Sequence, residues 1–131
     1  MPTDLSHIEL ELAPCTEHPF GNRNFTYHLY LPLGPGNRLN LTALQDGESG
    51  FVRCCRPHEE LRGEAWLEGD GRLAFHFPTR PSNRPLGFAS APDRFIVGRT
   101  VGIDEDDGEH RAFQIIAIRR QWPGFVVPKS A

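Results

Sequence analysis

The sequence predicts a mainly β fold, a compact antiparallel sandwich or a partly open small barrel with at most one short helix. Three observations support this prediction. Glycine and proline number 13 and 12 among 131 residues, which divides the chain into short elements. Several segments alternate apolar and polar residues with the two-residue period of a strand. Near the end, two β-branched runs flank an Asp-Gly pair, the pattern of a β-hairpin.

Strict alternation predicts the first two strands. The first carries apolar residues at every second position, at Ile8, Leu10 and Leu12, and ends before Pro14. The second covers residues 25–33 and has two different sides. One side presents His28 and Tyr30, and the other is apolar: Tyr27, Leu29, Leu31 and Leu33.

The middle of the chain predicts one helix, a strand and a hairpin. We expect the helix at residues 40–45, with Asn40 as its cap and Leu41 and Leu44 on its buried side. A third strand covers residues 51–56, and residues 63–68 and 72–77 form a hairpin around Gly69-Asp70-Gly71. Residues 78–85 contain three prolines and no other apolar side chain, which predicts an exposed Pro/Arg loop.

The closing hairpin occupies residues 93–121, with its turn at Asp107-Gly108. In its second strand both faces read as apolar, with Phe113, Ile115 and Ala117 on one face and Ile116 and Ile118 on the other. Residues 122–131 form an apolar, proline-broken tail, expected to be extended. The whole chain, residues 1–131, is predicted to be a single β-rich domain.

Composition limits the partners and the compartment. The formal net charge is −3, so no global field attracts nucleic acid, which is an unlikely partner. No segment approaches the roughly 20 apolar residues of a membrane span, and the first residues do not resemble a secretory signal. We therefore expect a cytoplasmic protein without a membrane partner. Its three cysteines, Cys15, Cys54 and Cys55, are expected to stay thiols.

Two Cys-x-x-His pairs suggest a metal site. Cys15 and His18 form one pair, and Cys55 and His58 form the other. Together they offer the four ligands of a tetrahedral zinc ion, although the spacing is not that of a zinc finger. The alternative is a buried thiol and a surface imidazole in each pair. No cofactor is predicted, and zinc is the one metal that the pattern suggests.

Catalytic motifs are absent from the sequence. A β-rich pocket could still combine His28, His76 and Glu64 for acid–base work, but such residues usually occupy the polar face of an alternating strand. The acidic stretch 104–109 offers five carboxylates without the spacing of a calcium loop, so we expect a solvated hairpin tip.

Three stretches carry a resemblance to a known family. One is the central block at residues 63–77, in which a glycine is followed by a strand, a turn and an aromatic strand. The other two are the Tyr-x-Leu-x-x-Pro-Leu strand at residues 27–33 and the closing unit at residues 95–116. The closing unit has the sequence Phe-x-x-Gly-x-x-Val-x-Ile, acidic turn, Phe-x-Ile-Ile. With these features the chain resembles a small family of uncharacterised bacterial proteins. The shared residues are core and turn positions, so the resemblance implies one fold and transfers no functional residue.

These observations favour a non-enzymatic binding or assembly module. The scaffold is β-rich, has apolar residues to spare and lacks a catalytic motif, so an enzyme is the less favoured alternative. That alternative is a metal-dependent or His/carboxylate enzyme with a pocket in the β-scaffold. The apolar second face of the closing strand and the tail predict a homodimer. Another protein or a small molecule is the further partner that such a module would bind.

Overall fold

The computed structural model describes residues 5–45, 50–69, 71–78, 87–90, 92–105 and 108–120. Eight antiparallel strands form one closed barrel, in which each strand pairs with the next and β8 pairs back with β1. In chain order they are β1 (Leu5–Leu12), β2 (Asn22–Pro32), β3 (Gly50–Arg56), β4 (Glu59–Leu67), β5 (Leu73–His76), β6 (Gly87–Ala89), β7 (Thr100–Glu105) and β8 (His110–Arg120). The predicted mainly β fold is confirmed, and the sheet is a fully closed barrel.

The barrel interior is filled by apolar side chains. An eight-stranded barrel is just wide enough for side chains to occupy its interior. Phe75 and Phe113 are fully buried, as is Phe95 from the β6–β7 connection. The predicted apolar side of β2 is confirmed, because Tyr27, Leu29 and Leu31 are buried. The other large buried side chains are Ile8, Leu10, Leu73, Ile103, Ile115, Val52 and Val101.

Antiparallel neighbours place alternate connections at opposite ends of the barrel. We call the end that holds the β1–β2, β3–β4 and β7–β8 connections the upper end. The lower end holds the β2–β3, β4–β5 and β6–β7 connections. The β2–β3 connection contains a 3₁₀ turn (Pro35–Asn37) and the helix α1 (Leu41–Gln45).

The predicted helix and its cap are confirmed, but its buried side differs. The Asn40 side-chain oxygen accepts a hydrogen bond from the backbone N–H of Ala43 at 3.1 Å, as an N-cap does. Leu44 is buried, as predicted. Leu41, predicted to be buried, is 49% exposed, and Ala43 packs inward instead. With 3.6 residues per turn, Leu41 and Ala43 lie about 160° apart around the helix, so a buried side that includes Ala43 and Leu44 leaves Leu41 exposed.

Two glycines are required by the backbone. A Cβ on Gly63 would overlap the carbonyl oxygen of His76, so the close approach of β4 and β5 needs a glycine at this position. Gly108, at the β7–β8 turn, has a φ of +85°, which confirms the predicted turn position.

The closing hairpin is shorter than predicted. Strand β7 begins at Thr100 rather than near Asp93, and the short strand β6 before it was not predicted. The predicted faces of β8 are confirmed for Phe113 and Ile115, which are both buried, but are wrong for the residues after Ile115. A bulge shifts the register between β1 and β8, so that Ile8 pairs with Ile118 and Glu9 with Ala117. Ile118 therefore packs against the core and does not share a second apolar face with Ile116. The homodimer, which was also predicted from the tail, stays a prediction.

Two predicted segments lie mostly or wholly outside the described residues. Pro78, the first residue of the predicted Pro/Arg loop, is exposed, whereas the rest of that loop and the tail 122–131 are not described. In the described part of the chain, no helix is long and apolar enough to cross a membrane.

Candidate functional site

The outer face of β1 and β2 carries two histidines and a glutamate side by side. The alternation of β1 places His7 and Glu9 between buried residues and so on the outside of the barrel, and β2 does the same for His28. The strand register pairs Glu9 with His28 and His7 with Tyr30. Paired residues on one face of a sheet have Cβ atoms about 5 Å apart. The three side chains, which we call the His-Glu cluster, are therefore neighbours.

The ligand atoms of the His-Glu cluster converge. Nε2 of His7 and Nδ1 of His28 form a hydrogen bond of 2.8 Å. One candidate ligand atom from each of His7, His28 and Glu9 lies within 4.8 Å of the other two, and all three residues are half-buried. The imidazole of His7 also stacks on the Tyr30 ring, with 4.7 Å between centroids and 11° between planes. This stacking restricts the orientation of His7.

Both imidazoles of the cluster favour the neutral form. Burial, with the charges of Arg53 and His7 adding to it, lowers the pKa of His28 to about 4. Burial and the charge of Arg119 lower the pKa of His7 as well. A neutral imidazole keeps the lone pair that a metal ion needs. At neutral pH neither histidine has to lose a proton before it can bind a metal.

Two arginines flank the His-Glu cluster. Arg119 on β8 pairs with His7 across the sheet and donates a hydrogen bond from Nη1 to Oε1 of Glu9 at 3.0 Å. Arg53 on β3 pairs with His28. Its Nη1 lies 3.5 Å from a carboxylate oxygen of Glu60, and its Nε is buried without a hydrogen-bond partner among the described residues.

The cluster has the composition and the spacing for a divalent transition-metal ion. Two imidazoles and one carboxylate are a common ligand set for zinc and for other first-row metals. With bonds of 2.0 to 2.2 Å, the ligand atoms around a tetrahedral ion lie about 3.4 Å apart, so small side-chain rotations suffice. Thr26 Oγ1 lies 3.5 Å from Nε2 of His28, where it can accept that N–H when Nδ1 binds a metal.

The predicted zinc ligands do not join such a group. In the described part of the chain, the His-Glu cluster is the one group of three or more potential ligands this close together. Cys15 and His18 lie in a tight turn of the β1–β2 loop, closed by backbone hydrogen bonds of 2.9 and 3.1 Å. Cys55 faces outward on β3, and His58 is exposed in the β3–β4 turn. Both pairs lie at the upper end, and a zinc site made from them stays a prediction.

The three suggested catalytic residues are only partly brought together. Glu64 on β4 and His76 on β5 are directly paired on the outer face. His28 lies two strands from Glu64, because β3 separates β2 from β4. His28 faces Glu9 instead.

A second group of charged side chains, the Glu105 network, closes the upper end of the barrel. The Glu105 side chain is fully buried, contrary to the prediction of a solvated acidic tip. Glu105 accepts hydrogen bonds from Tyr27 Oη at 2.7 Å, Arg56 Nη2 at 3.1 Å and Arg111 Nη1 at 2.7 Å. The two guanidinium groups also lie 5.7 and 5.8 Å from the ring centroid of Phe25. These contacts join β2, β3, β7 and β8 at the upper end, so this network is a structural element.

A concave surface of about 650 Å³ lies at the lower end. Its described lining combines leucines with charged groups at the rim: Arg38, Leu39, Leu41, Leu44, Leu67, Glu68, Gly69, Gly71, Pro92 and Asp93. No imidazole or thiol group of the described lining converges on this surface.

Sequence reasoning identified His28 but missed the other two members of the His-Glu cluster. Alternation along β1 places His7 and Glu9 on its polar face, but the sequence alone gives neither residue a role. The signal was the outward position of His7 and Glu9 on one strand and of His28 on the next. To predict from these positions that the three side chains meet, one must know the register between β1 and β2. Counted from the β1–β2 loop, that register includes a bulge between Glu11 and Leu12.

Comparisons of the chain with protein family models, with curated proteins and with solved structures found no match. The resemblance to a family of uncharacterised bacterial proteins stays an expectation.

Proposed function

We propose that the protein is a non-enzymatic binding module that holds a divalent transition-metal ion, with zinc as the expected metal, on the outer wall of its barrel. His7, His28 and Glu9 are the protein ligands. The observation that carries the proposal is the convergence of one ligand atom from each residue to within 4.8 Å.

The environment of the cluster supports metal binding. Burial lowers the pKa of both histidines, so their nitrogens are available at neutral pH. The cluster rests on neighbouring strands of a closed sheet, which restricts its geometry more than a loop would. In addition, the Tyr30 ring supports the His7 imidazole by stacking.

The position of the cluster favours binding over catalysis. Metal-dependent enzymes hold the substrate in a shaped cavity that excludes water. His7, His28 and Glu9 are half-buried on an outer wall of the sheet, and the inward side of this wall is filled by core residues such as Ile8 and Leu29. A metal ion here is accessible to a partner from outside.

The test is zinc binding to the full chain, purified without metal and titrated by isothermal calorimetry. We expect one zinc ion per chain. His28→Gln and Glu9→Gln should each weaken binding at least tenfold, because each removes one ligand. The matched controls are His76→Gln and Glu64→Gln, which remove a histidine and a glutamate from another outward pair of the same barrel. These controls should bind zinc like the wild type.

Two further variants separate this site from the Cys-x-x-His pairs. Cys55→Ser and His58→Gln should leave zinc affinity unchanged, since neither belongs to the His-Glu cluster. Zinc binding lost in these variants and retained in His28→Gln would move the site to the Cys-x-x-His pairs and overturn the proposal. Circular dichroism of each variant shows whether the fold is retained.

A further inference from the structure

We infer that the metal ion at the His-Glu cluster takes a small oxyanion, a carboxylate or a phosphate, as a further ligand, and that Arg53 donates hydrogen bonds to this oxyanion. The inference rests on the proposed metal site and specifies what that site binds.

The ligand count leaves room for the oxyanion. His7, His28 and Glu9 supply three ligands, and zinc sites with three protein ligands keep a fourth position for water or another molecule. No other His, Cys, Asp or Glu among the described residues brings a ligand atom into this group. The fourth ligand therefore comes from outside this part of the chain.

The charge around the metal favours an anion at that position. Glu9 is the one carboxylate of the cluster, and it already pairs with Arg119 at 3.0 Å. The carboxylate nearest Arg53 belongs to Glu60, which also pairs with Arg62 at 3.2 Å. Adding a divalent ion to this surface leaves positive charge in excess, and an anionic ligand reduces that repulsion.

Arg53 supplies a buried donor for which the described residues offer no acceptor. Its Nε is buried and lacks a hydrogen-bond partner among the described residues. Buried donors are nearly always paired in native proteins, so an unpaired one points to a missing acceptor. Arg53 lies directly opposite His28 in the sheet, and its charge acts on both imidazoles. An oxyanion bound to the metal would lie beside this donor.

Oxyanions fit these groups better than other ligands. A guanidinium presents N–H donors in a planar fork that matches two oxygens of a carboxylate or a phosphate. Hard oxygen donors also suit a divalent metal that carries a carboxylate ligand. A cationic ligand would not reduce the excess positive charge, and a neutral ligand would not reduce it either. Neither would pair with the Arg53 donor as well as an anion does.

The test uses the full chain loaded with cobalt, whose visible absorption reports changes in its ligands. Phosphate and acetate are added in separate titrations, and we expect the spectrum to change in at least one of them. The stronger-binding anion identifies the chemical class. Arg53→Met should weaken the apparent anion affinity at least tenfold without weakening cobalt binding. The matched control is Arg62→Met, the arginine paired with Arg53 on β4, which should change it less than twofold.

The outcomes separate the two proposals. If cobalt does not bind, the proposed metal site fails and this inference fails with it. If cobalt binds but neither anion alters the spectrum, the metal site stands and the oxyanion is excluded. An equal loss in Arg53→Met and Arg62→Met would show a general charge effect and would overturn the role of Arg53.

Discussion

Removing the Tyr27 hydroxyl should destabilise the barrel much more than removing the Tyr30 hydroxyl from the same strand. Tyr27 is 2% exposed and donates a hydrogen bond of 2.7 Å to the fully buried carboxylate of Glu105. Tyr30 lies outside the barrel, and its hydroxyl has no hydrogen bond among the described residues. Tyr27→Phe and Tyr30→Phe therefore compare a buried and an outer hydroxyl with identical changes in composition.

The expected loss follows from the acceptor. Hydrogen bonds to charged groups contribute about 1.5 to 3 kcal/mol. Because Arg56 and Arg111 still pair with Glu105 in Tyr27→Phe, we expect a loss of about 2 kcal/mol in the free energy of unfolding. Tyr30→Phe should stay within about 0.5 kcal/mol of the wild type.

Urea unfolding at pH 7, followed by circular dichroism, measures both variants. A third variant, Glu105→Gln, removes the charge that both arginines share and should cost more, about 3 to 5 kcal/mol. A Tyr27→Phe protein within about 0.5 kcal/mol of the wild type would refute the view that the Glu105 network stabilises the upper end. So would an equal loss in Tyr30→Phe.

Two further predictions concern the core and the strand contacts. Gly63→Ala should lower the free energy of unfolding by at least about 2 kcal/mol in urea, because its Cβ would overlap a backbone oxygen. The control is Gly69→Ala, which has open space around it and should cost little. Equal losses in the two variants would refute this prediction. Burial raises the pKa of the Cys54 thiol from 9.0 to about 11. The folded state favours the protonated thiol. The contribution of Cys54 to the free energy of unfolding is therefore complete below pH 9 and is lost as the pH rises through 11. Wild-type protein should therefore lose about 2 kcal/mol more than Cys54→Val over this range, and parallel pH profiles would contradict it.

Local patterns in the sequence were sufficient to predict which residues of the first strands face the core and which face outward. Ile8 and Leu10 point inward because side chains alternate along a strand, whatever its neighbours. The Asn40 cap and the positive φ of Gly108 were predictable for the same reason, since each depends on a few adjacent residues. Such features, which depend on a single turn or a single strand, can be derived from the sequence.

The tertiary structure alone decided which side chains meet. His7, Glu9 and His28 form a group because the register pairs Glu9 with His28, and one residue of slip would separate them. The bulge opposite Glu9 and Leu10 turned Ile118 into the core. Glu105 looked like part of a solvated acidic turn, but closure of the barrel brought Arg56, 49 residues away, within 3.1 Å of it. Alternation determines the face of each residue, whereas register and closure determine its neighbours, and the site depends on both.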